Sequence, residues 1–453
     1  MLLLVLILIG AACATAVFNW RWGVVAAIVI GLLQDPLRKM VPGVPGYLAI
    51  ATLPVWMATI VSALFSGEVR ARDFLSNFPR LARWVSLFGL YLLIPAAISA
   101  TYGENSWQIT LLGGVVYTTA FVMLAAGWRF PRDASSVTRI LSFYAIGTAV
   151  LLIGGPLDYF GLAKGFAAIG TEAMDAVWVT YRTGSKGLYM YAGFFRSPDV
   201  MGWHASLVTM IASLMAARSR GWARYAWLAL SMWGVLNLWI CGRRKMISML
   251  PIFWGLFLLL TFKFKTARRA VPLVGTLLLV LGLGWYGVTR TYQSTEIDTF
   301  YMTTFDHLDD LAMEHGVLSV VETIRQAGFF GYGLGMGQQG IHHIKAEKPR
   351  LWQESGPSKL VGELGVPGFV LLLGVGAVLL VTAYHVIGHN KNSSSFYMCA
   401  GLYSILIANM ASAVISGQIF GDPFIMILLS FFMGLLLSGG RMSGVAREDS
   451  CLS

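Results

Sequence analysis

The chain has 453 residues, 57% of them hydrophobic and only 12% charged, against roughly 25% charged in an ordinary globular domain. So few polar side chains cannot cover a water-soluble protein of this length, which excludes an ordinary cytosolic enzyme, a disulfide-stapled secreted domain and a disordered chain. In a soluble protein the net charge of +11 would suggest nucleic acid; here it points to anionic lipid head groups and loop topology, and no nucleic-acid partner is expected.

Crossing a bilayer as a helix takes about 20 predominantly apolar residues. In chain order such runs fall near 1–18, 23–34, 46–66, 83–101, 107–127, 139–160, 199–217, 222–241, 246–263, 271–289, 364–387, 396–417 and 421–439. They predict an all-α, polytopic transmembrane helical bundle of about 12–14 spans. The first run lacks a basic start and reads as a retained span rather than a signal peptide. The second is short, stops at Gln34-Asp35-Pro36, and is placed to pair with the first as a re-entrant element. With no internal repeat or low-complexity tract, residues 1–440 read as one membrane domain and 441–453 as a short polar cytoplasmic tail. Cys13, Cys241, Cys399 and Cys451 are scattered singly, with no CxxC pair and no metal-like spacing.

Orientation follows from short basic loops. Arg70, Arg72, Arg80 and Arg83 form one cluster, Arg129, Arg132 and Arg139 a second, Arg218, Arg220 and Arg224 a third, and Lys263, Lys265, Arg268 and Arg269 a fourth. Each is separated from the next by an even number of spans, which puts all four on the cytoplasmic side. The long connections 161–198 and 290–363 are then extracytoplasmic. So is the turn Cys241-Gly242-Arg243-Arg244-Lys245, whose three consecutive cations lie against the orientation preference. Cations placed there suggest the holding of an anion, with snorkelling to lipid phosphates as the plain alternative.

The loop 290–363 opens with Glu296, Asp298, Asp306, Asp309, Asp310 and Glu314. Leu318, Val321 and Ile324 then stand at helical spacing beside Glu322 and Arg325, the pattern of a short helix lying at the membrane surface. Glycine follows at every second position from Gly331 to Gly337, permitting close backbone approach but lacking the lysine of a phosphate loop. His342, His343, Lys345, Lys348 and Arg350 come next, then Glu354. Two imidazoles, a carboxylate and a cationic stretch at the mouth of a bundle suit acid–base work on an anionic substrate, and equally suit a solvated loop. In the other loop, Arg196 stands just before a span as an anion contact, and His204 lies about one turn into that span, where a histidine is more often structural than catalytic.

Four stretches in this order resemble the O-antigen ligase and polysaccharide polymerase superfamily. Phe194-Phe195-Arg196-Ser197-Pro198-Asp199 is similar to its loop-to-span segment G-x-F-x-x-P-N, and Cys241-Gly242-Arg243-Arg244-Lys245 to its S/T-x-S-R-G turn. Gly328-Phe329-Phe330-Gly331-Tyr332-Gly333-Leu334-Gly335 looks like P-L-F-G-x-G-x-G, and Glu354 through Gly365 matches the spacing of H-N-x-x-L-x-x-x-x-E-x-G. One departure stands out: Glu354-Ser355 replaces the His-Asn pair whose histidine the resemblance would make catalytic.

The resemblance implies a metal-independent glycosyltransferase of the bacterial inner membrane, without cofactor, working on the extracytoplasmic face in surface-polysaccharide biosynthesis. The donor would be a glycan on polyprenyl pyrophosphate and the acceptor a sugar hydroxyl, with other polysaccharide export proteins as partners. The departure at Glu354 leans the reading toward an exopolysaccharide or capsule polymerase. Arg243 and Arg244 are expected to bind the pyrophosphate, assisted by Arg196 and, further out, Arg325, because guanidinium stays charged and grips phosphate oxygens in a fork. Glu354 is expected to be the base or acceptor orienter, with His342 and His343 as alternates. The competing readings are a transporter or flippase and a non-catalytic scaffold of an envelope assembly.

Overall fold

The computed structural model describes residues 1–163, 165–174, 176–180, 188–264, 275, 282, 312–341, 344–347, 349, 353 and 355–442. Among these the chain is all-α, apart from a two-residue antiparallel pairing of Val179–Thr180 with Leu188–Tyr189. Nine described helices are long and apolar enough to cross a bilayer, making this a multi-pass membrane protein. They cover the apolar runs at 46–66, 83–101, 107–127, 139–160, 199–217, 246–263, 364–387, 396–417 and 421–439. The runs at 1–18, 23–34 and 222–241 also lie in helices, Leu2–Phe18, Trp20–Lys39 and Trp222–Cys241. The run at 271–289 lies almost wholly outside the described residues, as does the tail beyond 442.

The described chain packs as two compact units. The first comprises Met1, residues 32–45 and residues 138–310. Its central helix is Pro198–Arg218, in which every residue from Pro198 to Ala217 except Asp199 is buried. Local chemistry starts this helix: the Ser197 hydroxyl accepts from the Val200 amide at 3.3 Å, and Pro198 sits in the first turn, where no N–H is needed. Trp222–Cys241 packs beside it, joined by Ser213 and Ser231 hydroxyls 3.0 Å apart and by Thr209, so these three hydroxyls find partners. The chain reverses at Gly242 and forms the short helix Arg244–Ile247 before Met249–Phe264. The Ser206 hydroxyl donates to the Met246 carbonyl at 2.7 Å and ties this reversal to the central helix. Arg243, Arg244 and Lys245 are thereby fixed at the start of the central helix, about 30 Å along its axis from Arg218.

The second unit comprises residues 2–31, 46–137 and 311–453. Ser106–Arg129 and Pro423–Met442 cross in it at two glycines. A Cβ on Gly127 would fall 2.3 Å from the Phe431 carbonyl oxygen, and one on Gly434 2.2 Å from that of Leu124, so only glycine allows this approach. Basic side chains gather where Ser106–Arg129 ends. Arg129 donates to the Glu68 carbonyl at 3.2 Å, Arg21 pairs with the Glu68 carboxylate, and Arg441 reaches the Pro131 carbonyl at 2.6 Å. At the start of the same helix the Tyr102 hydroxyl donates to the Tyr332 carbonyl at 2.7 Å, and the Asn105 amide to that of Lys345 at 3.0 Å. Within this unit the glycine-rich part of the large loop and the basic end are thus separated by 24 helical residues, about 36 Å.

The expected short helix is present as Ser319–Ala327, with Val321, Glu322 and Arg325 exposed and Thr323 buried. Gly356–His389 is not one straight helix. Gly365, at φ 71° and ψ 176°, breaks it between its buried first part and its long apolar second part.

Candidate functional site

The N-terminal end of the central helix in the first unit collects charge from four places in the sequence. Asp35, near the end of the Trp20–Lys39 helix, accepts from the Arg196 backbone amide at 3.1 Å and from its guanidinium at 3.2 and 3.3 Å. Both residues are buried, at 3% and 8% exposure. Such a pair is held by its partners rather than by water, and deleting one member typically costs about 3–5 kcal/mol. Arg196 was expected to meet an anion; it meets one belonging to the protein.

One turn beyond Asp35, the Lys39 ammonium donates to three carbonyls, those of Gly170 and Phe195 at 2.5 Å and that of Gly193 at 3.0 Å. Asp158 receives the amides of Ala192 and Gly193 at 3.1 and 2.9 Å. Together Lys39 and Asp158 pin the returning arm of the 161–198 loop, and so the backbone from which Arg196 and Asp199 project. Burial pulls the Lys39 ammonium down to about 8, against the opposing fields of Asp35 and Asp158.

Asp199, in the first turn of the central helix, is shared by two cations. Arg243 Nη2 lies 2.9 Å from one carboxylate oxygen and Lys245 Nζ 2.8 Å from the other, with the two cationic side chains 21% and 25% exposed. Two positive charges on one carboxylate leave an excess of positive charge at a partly open rim, and a guanidinium has five N–H donors to distribute. The Arg243 guanidinium also lies over the Trp178 ring, 5.3 Å from its centroid. Trp178 accepts the Met190 amide at 3.0 Å, and Met190 packs against Gly242, so the small hairpin of the loop rests on the 242–243 turn.

Of the residues expected at the site, Arg196 and Arg243 come to the same helix end, each on its own carboxylate, and Arg244 follows as the first residue of the short helix. Arg325 belongs to the second unit, where it is exposed and lies 3.8 Å from Glu322 one turn earlier. Glu354, His342 and His343 lie outside the described residues. His204 is buried, with Nδ1 2.7 Å from the Tyr144 hydroxyl and its ring stacked on Phe195 at 4.8 Å, so it packs beneath the Arg196 turn as a structural group. Sequence reasoning missed Asp35, Lys39, Asp199 and Trp178 as parts of the site. The available signal was Gln34-Asp35-Pro36, since a carboxylate ending an apolar run needs a partner.

In the second unit the glycine segment is cradled by a buried carboxylate. Glu363, 1% exposed, accepts from the Gly335 amide at 2.7 Å and from the Gln338 side-chain amide at 3.4 Å. Gly335 has φ +90°, and a Cβ there would fall 2.1 Å from the Ile109 carbonyl oxygen. The same unit holds an apolar cavity of about 220 Å³, lined by residues such as Tyr117, Phe121, Phe369, Leu373 and Met410. No cluster of three or more His, Cys, Asp or Glu placed to hold a metal occurs among the described residues. Comparison with protein-family models and with curated proteins found no match for the chain.

Proposed function

We propose that this chain is a membrane glycosyltransferase, similar to O-antigen ligases and polysaccharide polymerases. It elongates or transfers a glycan carried on polyprenyl pyrophosphate at the extracytoplasmic face of the bacterial inner membrane. The observation that carries this reading is the sharing of Asp199 by Arg243 and Lys245 at the end of the central helix opposite the basic loop of Arg218, Arg220 and Arg224. Cations on that side do not serve orientation, and two of them on one carboxylate suit a diphosphate that gains charge as it leaves.

In this reaction the acceptor hydroxyl oxygen attacks the anomeric carbon of the donor sugar. The bond from that carbon to the pyrophosphate oxygen breaks, the pyrophosphate departs with the electron pair, and the hydroxyl proton passes to a base. Arg243 and Lys245 stabilise the departing diphosphate, and donors acting there are worth about 3–4 kcal/mol of barrier each. Arg196 is better suited to positioning, because Asp35 already holds its guanidinium. Glu354 is assigned the proton.

The test is transfer by the full chain alone, reconstituted in nanodiscs with a synthetic polyprenyl-pyrophosphate oligosaccharide. Wild type should lengthen or transfer the glycan, and Glu354→Gln should bind the donor yet not turn it over. No product from wild type rejects the reading; wild-type rates in Glu354→Gln remove that residue from the chemistry.

One observation favours a second reading, a transporter or flippase. The break at Gly365 lies two residues from the buried Glu363, and broken helices beside buried charge are a transporter device. Translocation of a lipid-linked sugar across liposomes without chemical change would select it.

A further inference from the structure

Trp178 stands outside every expectation drawn from the sequence, yet it covers the cation on which the proposed chemistry depends. Its ring lies over the Arg243 guanidinium, while Arg243 Nη2 is occupied by Asp199. Among the described residues, two donors of this pair have no acceptor although both atoms are buried: Arg243 Nε and Trp178 Nε1. Buried donors are costly to leave unmade, and unpaired ones call for an explanation. No hydrogen bond among the described residues supplies it. Asp199 Oδ2 lies against Arg243 Nη2, Asp199 Oδ1 is 2.8 Å from Lys245 Nζ but is itself without a hydrogen bond, and the Trp178 carbonyl accepts the Met190 amide.

An acceptor-rich anion entering beside Arg243 would answer both donors at once. We infer that Trp178 is a ligand-binding residue of this site, its indole N–H donating to an oxygen of the same diphosphate that Arg243 binds while its ring keeps the guanidinium stacked and oriented. The inference rests on the proposed reaction and adds to it a neutral donor. A neutral donor calls for an acceptor atom at a defined place rather than for charge alone, so it orients the oxyanion that the positive rim attracts. The stacking partner also limits the rotation of Arg243, so less freedom is lost when the ligand arrives.

The experiment measures binding of farnesyl pyrophosphate to the full chain in nanodiscs, with farnesol as the control probe. Trp178→Phe keeps a ring over the guanidinium and removes only the N–H. It should weaken farnesyl pyrophosphate about tenfold, the order expected for a hydrogen bond to a charged group, while farnesol binding and the melting midpoint stay at wild-type values. Trp178→Ala should weaken it further. Arg243→Ala should abolish it.

Wild-type affinity in Trp178→Phe, with binding lost in Arg243→Ala, overturns the inference and leaves the proposed function standing. Wild-type affinity in Arg243→Ala rejects the proposed function, and the inference with it. Should Trp178→Phe melt early, the wild type labelled with ¹⁵N on its indoles decides. A downfield shift of the Trp178 N–H signal on titration supports the contact, and an unmoved signal at saturation overturns it.

Discussion

Glu363 and Gly335, 28 residues apart in sequence, are joined by a carboxylate-to-amide hydrogen bond of 2.7 Å. Through this bond the alternating glycines become a built element rather than a loose loop. The Tyr332 and Gly333 amides donate to the Gly362 and Glu363 carbonyls, and the Leu334 amide to that of Pro95, so the segment is hydrogen-bonded as closely as a strand would be.

Removing the carboxylate should therefore loosen the segment. Glu363→Ala leaves the Gly335 amide buried without an acceptor and should cost about 3 kcal/mol of stability; Glu363→Gln keeps an acceptor oxygen and should cost less. Thermal unfolding in detergent, combined with proteolysis between residues 328 and 341, checks the ordering wild type, Gln, Ala. Equal protection in all three would mean that the glycine segment is held by its backbone bonds alone.

The shared carboxylate ranks the cations. Arg243→Ala should reduce glycan transfer by at least 100-fold, Lys245→Ala by less, and Arg244→Ala least, since Arg243 combines the Asp199 bond with the Trp178 stack. Product length on gels after reconstitution is the measurement. Unchanged product from both Arg243→Ala and Arg244→Ala would end the pyrophosphate-clamp idea.

Lys39 gives a pH signature with a defined sign. Its ammonium titrates near 8 in the folded protein against 10.5 as its ordinary value, so between those limits the unfolded chain binds more protons. Stability must then rise with pH across that window, the cost of the buried charge being present in full below about 8. Melting of wild type relative to Lys39→Met at pH 7.5 and pH 9.5 isolates this group, and the wild type should gain on the order of 1–2 kcal/mol relative to the variant. A difference that does not change with pH would remove Lys39 as the titrating group.

Some of the candidate site was legible beforehand. Arg243 is marked in the sequence by three cations that lie against the expected orientation preference, and Arg196 by its place just before a span. Neither position announced its partner. Asp35 shows in the sequence only as the end of a short apolar run, and Lys39 and Trp178 carry no signal there, because nothing periodic marks a side chain that will meet another far along the chain.

The sequence by itself determined the helices. A segment in hydrocarbon must satisfy its own backbone, so each long apolar run becomes a helix almost irrespective of its neighbours. Capping residues such as Ser197 with Pro198 then set where the helices begin. Only the tertiary structure decided the pairings. Asp35 meets Arg196 across 161 residues, and Asp199 gathers Arg243 and Lys245, because those helix ends come together. The physical reason lies in range and direction: hydrophobic burial is additive along a run and leaves a pattern in the sequence, whereas an ion pair depends on two points in space whose separation the sequence does not encode locally.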